Sequence, residues 1–152
     1  MITLTVIIPV YNADKYVEEC VKSVLNQNFE NYEIILVNDC STDASGEICN
    51  SLSMECKKIK VIHHKKNYGV SISRNNGINA ANGEYIIFLD SDDYLMDGCL
   101  VGIENVIKET TEVDVIVGRH NMSDDGNISD NAFVNYCDSD HVIAHINNLK
   151  FF

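Results

Sequence analysis

Short runs of apolar, mostly β-branched residues recur along this chain, at residues 3–9, 32–38, 59–63, 84–89 and 113–118. An apolar run that does not alternate with polar residues is typical of a strand buried on both faces. The segments between the first four runs, and the one after the fourth, suit helices. Strands and helices that alternate at this spacing predict an α/β fold, a mostly parallel sheet with helices on both faces.

The first helical segment carries an apolar stripe at spacings of three and four residues, formed by Val17, Cys20, Val21, Val24 and Leu25. The second carries Ile48, Cys49 and Leu52, the third covers residues 70–81, and the fourth covers 97–109. We predict that Gly83 ends the third helix, whose asparagines and Gly77 are poor helix formers. Candidate N-caps are Asp14 for the first helix and Ser41, Thr42 or Asp43 for the second.

The pattern changes after residue 118. A polar stretch contains the hairpin signal Asp125-Gly126, and residues 138–149 are predicted to form a last helix. We therefore divide the chain into a core at 1–118 and a different region at 119–152.

Composition narrows the function classes. The chain has 152 residues, of which 45% are hydrophobic, and this suffices for one domain with a core. A net charge of −12 disfavours nucleic acid and anionic membranes as partners, because both bind through Lys and Arg. The six cysteines show no C-x-x-C pair, so we expect reduced thiols. No signal peptide or membrane-length apolar run is evident, and a cytoplasmic location is expected.

Polar clusters follow the predicted strands, and the carboxyl ends of parallel strands are where open α/β sheets bind ligands. Asp90 and Asp92 follow the fourth strand at i, i+2, a spacing that lets two carboxylates converge on Mg²⁺ or Mn²⁺. The alternative for these acids is a solvated turn. Asp39 follows the second strand and could accept a hydrogen bond from a heterocycle N–H such as that of uracil. Its alternative is a helix cap.

Basic and histidine residues carry weaker signals. Arg74 lies among small residues, which would let a ligand approach, although a lone arginine in a helix is usually at the surface. Lys65 and Lys66 fit a solvated basic pair better than a phosphate site. The histidines are interpreted as structural or surface residues. Only His141 and His145 have the helical i, i+4 spacing, and they lack the Glu of a metalloprotease motif.

Taken together, these segments resemble the nucleotide-sugar-binding half of an inverting family 2 glycosyltransferase with the GT-A fold. The matching stretches are "TVIIPVYNADKYVEECVKSVLNQNFENYEIILVNDCSTD" (5–43) and "NYGVSISRNNGINAANGEYIIFLDSDD" (67–93). The resemblance covers roughly residues 3–118. It implies transfer of a sugar, with inversion and metal assistance, from a nucleoside-diphosphate sugar such as a UDP-sugar to a glycan, lipid-linked or other hydroxyl acceptor. It also implies polysaccharide biosynthesis, with the enzyme in the cytoplasm or at the inner membrane face.

The resemblance implies a role for each matching residue. Pro9, Val10 and Tyr11 would line the base pocket, and Asp39 would bind the base edge. Asp92 would ligate Mn²⁺ or Mg²⁺ on the diphosphate. The other nucleotide-binding residues would be Asn67, Gly69, Arg74, Asp90 and Ser91, and the residue on the donor-sugar side would be Asp93.

The sequence departs from the family after residue 118, where the acceptor side and the catalytic base usually lie. The acids there stand in no segment that matches, so no base is assigned; they are Asp124, Asp125, Asp130, Asp138 and Asp140. We expect residues 119–152 to be the start of an acceptor-side region that is incomplete. The alternative function is therefore a non-catalytic nucleotide-sugar-binding domain, or a fragment lacking the base.

Three other readings fit less well. A sugar nucleotidyltransferase would need a glycine-rich loop after the first strand, and "PVYNADKY" has no glycine. A haloacid-dehalogenase-type phosphatase places its D-x-D after the first strand rather than the fourth. An EF-hand loop starting at Asp90 would have Leu95 at the turn glycine and Val101 at the closing Glu.

Overall fold

The computed structural model describes residues 3–109, 115–118 and 141–145, which form a sheet flanked by helices. The helices are α1 (Val17–Leu25), α2 (Ser45–Glu55), α3 (Val70–Ala80) and α4 (Cys99–Glu109). The strands are β1 (Leu4–Val10), β2 (Tyr32–Asn38), β3 (Ile59–His63), β4 (Tyr85–Phe88), β5 (Val115–Gly118) and β6 (His141–His145). Each strand and helix predicted before residue 118 is confirmed, with bounds that differ by up to two residues.

The sheet has the order β3-β2-β1-β4-β6-β5. The strands β3, β2, β1 and β4 pair in parallel, whereas β6 runs antiparallel to both β4 and β5. The predicted mostly parallel sheet is thus confirmed. The helix predicted at 138–149 is wrong, because residues 141–145 form β6. The apolar, β-branched centre of "HVIAH" suits a strand, and pairing with β4 overrides the helical spacing of its histidines. The hairpin signal at Asp125-Gly126 lies outside the described residues.

Helices cover both faces of the sheet, as predicted. On one face, α1, α2 and α4 pack against alternate side chains of β1 such as Val6 and Ile8. On the other face, Ile7 packs with Ile35 and with Ile78 of α3. This alternation places β1 and β2 between two layers, which explains why these strands read as continuous apolar runs.

Two glycines allow α3 and the turn after it to approach β1 closely. A Cβ at position 77 would collide with the side chain of Ile7. The prediction that Gly83 ends α3 is wrong, since the helix ends at Ala80. Instead, Gly83 donates its backbone N–H to Thr5 Oγ1 at 2.9 Å, and a Cβ there would meet the backbone of β1.

A partly buried carboxylate connects β2 with β1 and with the edge strand β3. Glu33 of β2 accepts hydrogen bonds from Thr5 Oγ1 at 2.9 Å, from Lys60 Nζ at 2.7 Å and from the backbone of Asn82 at 2.5 Å. Its side chain is only 14% exposed. Burial raises its pKa, but these hydrogen bonds outweigh burial and hold the pKa below the ordinary value.

The described cysteines are free thiols, which agrees with the expectation of reduced cysteines; Cys137 lies outside the described residues. Burial raises the pKa of Cys49 and of Cys99 to about 11. These thiols are therefore neutral at physiological pH. None of the helices in the described part of the chain is long and apolar enough to cross a membrane.

Candidate functional site

A cleft of about 420 Å³ opens at the carboxyl ends of β1, β2 and β4. Of the site residues predicted from the sequence, all except Arg74 and Asp93 line it. The lining residues are Pro9, Val10, Tyr11, Asn12, Ala13, Tyr16, Asp39, Asn67, Gly69, Val70, Ser73, Asp90, Ser91 and Asp92. The fold thus brings together residues from Pro9 to Asp92, more than 80 positions apart in the sequence, as expected for parallel strands that end at one edge.

Hydrogen bonds join the loop after β1 to the loop after β2. Asn12 donates its backbone N–H to Ser41 Oγ at 3.1 Å, and its Oδ1 accepts from the backbone N–H of Thr42 at 2.8 Å. Ala13 N–H donates to Ser45 Oγ at 2.8 Å. Asn12 has a φ of 51°, a left-handed conformation that Asn tolerates better than most residues. These bonds fix the cleft wall on which Tyr11 lies.

The helix caps predicted from the sequence are only partly right. The N-cap of α1 is Tyr16, without a side-chain cap, so the prediction for Asp14 is wrong. Asp14 instead donates its backbone N–H to Asp43 Oδ2 at 3.1 Å. The N-cap of α2 is Ala44, and Asp43 Oδ1 accepts from the N–H of Ser45, the first residue of that helix. Ser41 and Thr42 bind Asn12 instead, so Asp43 is the candidate whose side chain contacts the start of α2.

Asp39 is a buried carboxylate, and its side chain is only 4% exposed. Its Oδ1 accepts hydrogen bonds from His64 Nδ1 at 2.7 Å and from Tyr68 N–H at 2.8 Å, and its Oδ2 accepts from Gly69 N–H at 2.7 Å. Burial raises the pKa of this carboxyl, but these donors outweigh burial and lower it, so Asp39 is ionised at neutral pH. Its bonds run to residues 64–69, so Asp39 does not cap the following helix α2.

Gly69 makes the contact with Asp39 possible. It is the N-cap of α3 and has a φ of 89°, which an L side chain rarely adopts. Asn67 Oδ1 also accepts from the N–H of Gly69, at 3.0 Å. The segment between β3 and α3 therefore presents its backbone N–H groups to Asp39, as the loops around a bound anion do.

His64 is a member of this site that the sequence analysis missed. Its side chain is 5% exposed, and it lies between Asp39 and Asn76, whose Nδ2 is 2.8 Å from His64 Nε2. The available signal was its position directly after β3. His63, by contrast, lies outward and contacts Asn38 and Asn50, consistent with a structural role.

Asp90 and Arg74 form an ion pair beside the cleft. Arg74 Nη2 lies 2.7 Å from Asp90 Oδ1, and the side chains are 34% and 47% exposed. The guanidinium also lies 5.6 Å from the ring centre of Phe88. Arg74 does not line the cleft itself but contacts Asp90, which does.

Asp92 lies where the main cleft meets a second recess of about 140 Å³. The residues that line this recess are Tyr16, Glu19, Cys20, Asp92, Asp93 and Tyr94. Burial and the negative charges of Asp93, Asp92 and Asp90 together raise the pKa of Cys20 to about 12. The three acids therefore produce a concentrated negative potential at this end of the cleft.

Comparisons of this chain with a family model and with curated relatives both match glycosyltransferases. The family model described as Glycosyl transferase family 2 matches residues 5–145. Glycosyltransferase GlyG of Streptococcus pneumoniae is 40% identical over 126 residues, which are 82% of this chain and 42% of GlyG. The poly(ribitol-phosphate) beta-glucosyltransferase of Bacillus spizizenii is 40% identical over 119 residues, which are 76% of this chain and 19% of that protein.

Among solved structures, S. aureus TarS in complex with UDP-GlcNAc superposes with a TM-score of 0.75 at 30% identity. The match covers 84% of this chain and 37% of the TarS chain. The chain therefore spans less than half the length of each of these three proteins.

Proposed function

Because the chain belongs to glycosyl transferase family 2 and has the GT-A fold, we propose that it forms the donor-binding part of an enzyme that transfers a sugar from a UDP-sugar to a hydroxyl acceptor. The observation that carries the proposal is the cleft itself. It combines a buried, ionised hydrogen-bond acceptor, Asp39, with the carboxylates of Asp90 and Asp92.

The base end of the proposed site consists of Pro9, Val10, Tyr11 and Asp39. An ionised carboxylate accepts hydrogen bonds and donates none, so Asp39 suits the imide N–H of uracil. The half-exposed ring of Tyr11 offers an apolar surface for a planar base. TarS, which shares the fold, was solved with UDP-GlcNAc, and this supports uracil as the base.

The diphosphate end requires a cation. No Lys or Arg is among the residues that line the cleft in the described part of the chain, and Arg74 is already paired with Asp90. The described residues contain no group of three or more His, Cys, Asp or Glu that could hold a metal ion alone. Mg²⁺ and Mn²⁺ usually take one or two carboxylates and complete their shell with phosphate oxygens and water, so the residues present fit such an ion.

We assign Asp92 as the protein ligand of that metal. When bound, the ion would neutralise negative charge on the departing diphosphate. Asp90, held by Arg74, would face the ribose side, with Ser91, Asn67 and Gly69 completing the wall, and Asp93 would face the donor sugar from the adjacent recess. Direct displacement at the anomeric carbon would invert its configuration.

A general base would remove the proton of the acceptor hydroxyl, and we assign none to the described residues. In this proposal residues 1–118 bind the donor, and residues 119–152 begin the acceptor side. The name of the Bacillus spizizenii relative refers to poly(ribitol-phosphate), so we propose a glycan, polyol-phosphate or lipid-linked acceptor. Such an acceptor would place the reaction in the cytoplasm at the inner membrane face.

Titration calorimetry with UDP in the presence and absence of Mn²⁺, beside an assay of donor hydrolysis and transfer, tests the proposal. We expect UDP to bind and Mn²⁺ to strengthen its binding. If no nucleoside diphosphate bound with or without Mn²⁺, the proposal would be wrong.

The second candidate is a non-catalytic nucleotide-sugar-binding domain. It is supported by the same cleft, because the roles proposed for its residues, such as Asp39 and Asp92, are all roles in donor binding. Binding of UDP without turnover of the UDP-sugar, even with acceptors present, would select this candidate over the transferase.

A further inference from the structure

The carboxylate of Asp39 has unequal hydrogen bonding on its two oxygens. Oδ1 accepts from both His64 Nδ1 and Tyr68 N–H, whereas Oδ2 accepts, among the described residues, from Gly69 N–H. Each carboxylate oxygen has about two acceptor positions. Among the described contacts, the remaining acceptor position of Asp39 is therefore on Oδ2.

A side-chain substitution other than proline leaves the two backbone donors in place, whereas replacing His64 removes the imidazole donor. The ring of His64 is held from three sides: by Asp39 at Nδ1, by Asn76 at Nε2, and by an edge contact to the ring of Tyr68 at 5.2 Å. With Asn76 Nδ2 donating to Nε2, the neutral ring carries its proton on Nδ1 and donates it to Asp39. Without this donor, Oδ1 would be free to accept a ligand N–H in place of Oδ2.

We propose that His64, oriented by Asn76, is a positioning residue for base recognition, which occupies Asp39 Oδ1 so that Oδ2 receives the N–H of the base. The inference rests on the proposed function and deepens it. His64 does not line the cleft itself and acts through Asp39, which does. A histidine whose Nδ1 donates to a carboxylate is the arrangement that fixes both groups in many buried polar networks.

The test compares three variants of the 152-residue chain. His64→Phe keeps the ring volume and removes the donor. His64→Asn places an amide N–H near the position of Nδ1 and is the conservative rescue. His63→Phe makes the same change at the neighbouring histidine, which has no contact with Asp39, and serves as the matched control.

We expect His64→Phe to weaken UDP binding about tenfold, the effect of losing a hydrogen bond to a charged group. UDP affinity measured against pH should fall at low pH, and we call this fall the acid limb. In His64→Phe the acid limb should move to higher pH. Asp39 has a depressed pKa, to which the His64 bond contributes, so losing that bond raises the pKa and Asp39 is protonated at higher pH. The other ionisable group in direct contact with Asp39 is His64 itself, since Tyr68 and Gly69 contribute backbone N–H groups.

His64→Asn should restore most of the affinity and the parent acid limb, and His63→Phe should match the parent. If the parent binds UDP and His64→Phe shows the same affinity and pH profile, the inference is wrong while the proposed function stands. It is equally wrong if His64→Asn and His64→Phe lose affinity alike without a shifted limb, or if His63→Phe reproduces the loss. If the parent itself binds no nucleoside diphosphate, the proposed function fails first. A His64→Phe chain that does not fold is replaced by Asn76→Leu, for which a smaller shift of the limb in the same direction is expected.

Discussion

Replacing Asp39 with alanine removes the acceptor that three donors share: His64 Nδ1, Tyr68 N–H and Gly69 N–H, at 2.7 to 2.8 Å. It also removes the acceptor proposed for the base. The same substitution thus has one effect on stability and a separate effect on which base the cleft prefers.

The stability effect is limited by water. A buried donor left without a partner costs about 1–3 kcal/mol, so three fully dry donors would cost up to roughly 9 kcal/mol. Asp39 however lines an open cleft of about 420 Å³, large enough for water to enter and replace the carboxylate. We therefore expect Asp39→Ala to lower the free energy of unfolding by about 2 kcal/mol, which leaves a typical domain folded.

The effect on binding is specific to the base. Loss of one hydrogen bond to a charged acceptor costs about 1.5–3 kcal/mol, or roughly 10- to 150-fold in the Kd for UDP. GDP should lose much less, because in this proposal Asp39 binds uracil and GDP is held mainly through its diphosphate, whose contacts are unchanged. Calorimetry with UDP and GDP at saturating Mn²⁺ measures the ratio, and Asp97→Ala, which removes an exposed acid outside the cleft, is the charge-matched control. An unchanged preference for UDP over GDP in the folded variant would refute the assignment of Asp39.

Three further changes test other parts of the molecule. Asp92→Ala should abolish the gain in UDP-sugar affinity that Mn²⁺ provides, and its Tm measured by calorimetry should equal that of the parent. If the variant bound the UDP-sugar as tightly as the parent at saturating Mn²⁺, the metal role would be excluded. Glu33→Gln should cost about 1–2 kcal/mol in urea unfolding at pH 7, whereas Glu30→Gln, at a side chain 93% exposed, should change stability by less than about 0.5 kcal/mol. The folded pKa of Glu33 is depressed, so its stabilisation is present above the ordinary value of 4.5 and is lost as the pH falls through the folded value; the difference between parent and Glu33→Gln should shrink there. Gly77→Ala should lower the free energy of unfolding by about 2 kcal/mol, because the collision with Ile7 outweighs the gain of about 1 kcal/mol in helix propensity. A variant more stable than the parent in urea unfolding would contradict this reasoning.

The sequence predicts the parallel half of the sheet well because its signals are local. Continuous apolar runs at residues 4–10 and 32–38, between stripes of helical period, have few other interpretations. The strand at 141–145 is not predicted, because its structure depends on pairing with β4, more than 50 residues earlier in the chain. No property of a window around His141 reports that distant partner. The caps fail for a similar reason, since Ser41 and Thr42 bind a loop that precedes them by about 30 residues.

The ends of the predicted strands indicated correctly where most cleft residues lie. Asp39, Asp90 and Asp92 lie in one cleft because each follows a parallel strand, and this placement follows from the fold alone. His64 also follows a strand, but its burial and its bond to Asp39 depend on the path of residues 64–69, which turns on the positive φ of Gly69. Asn12 and Tyr16 line the cleft for the same kind of reason, through loop conformation rather than residue type.

The position of β6 between β4 and β5 affects the order in which this protein can fold. β4, which leads directly into Asp90 and Asp92, pairs with β1 on one edge and with residues 141–145 on the other. During synthesis, β4 can pair with β1 as soon as residues 3–109 are available. Its pairing with β6 requires residues that follow β4 by more than 50 positions. Contacts of such long sequence separation form late and slow folding. We therefore expect the acid-bearing end of the cleft to become rigid in the last folding step, after the base-binding end has formed.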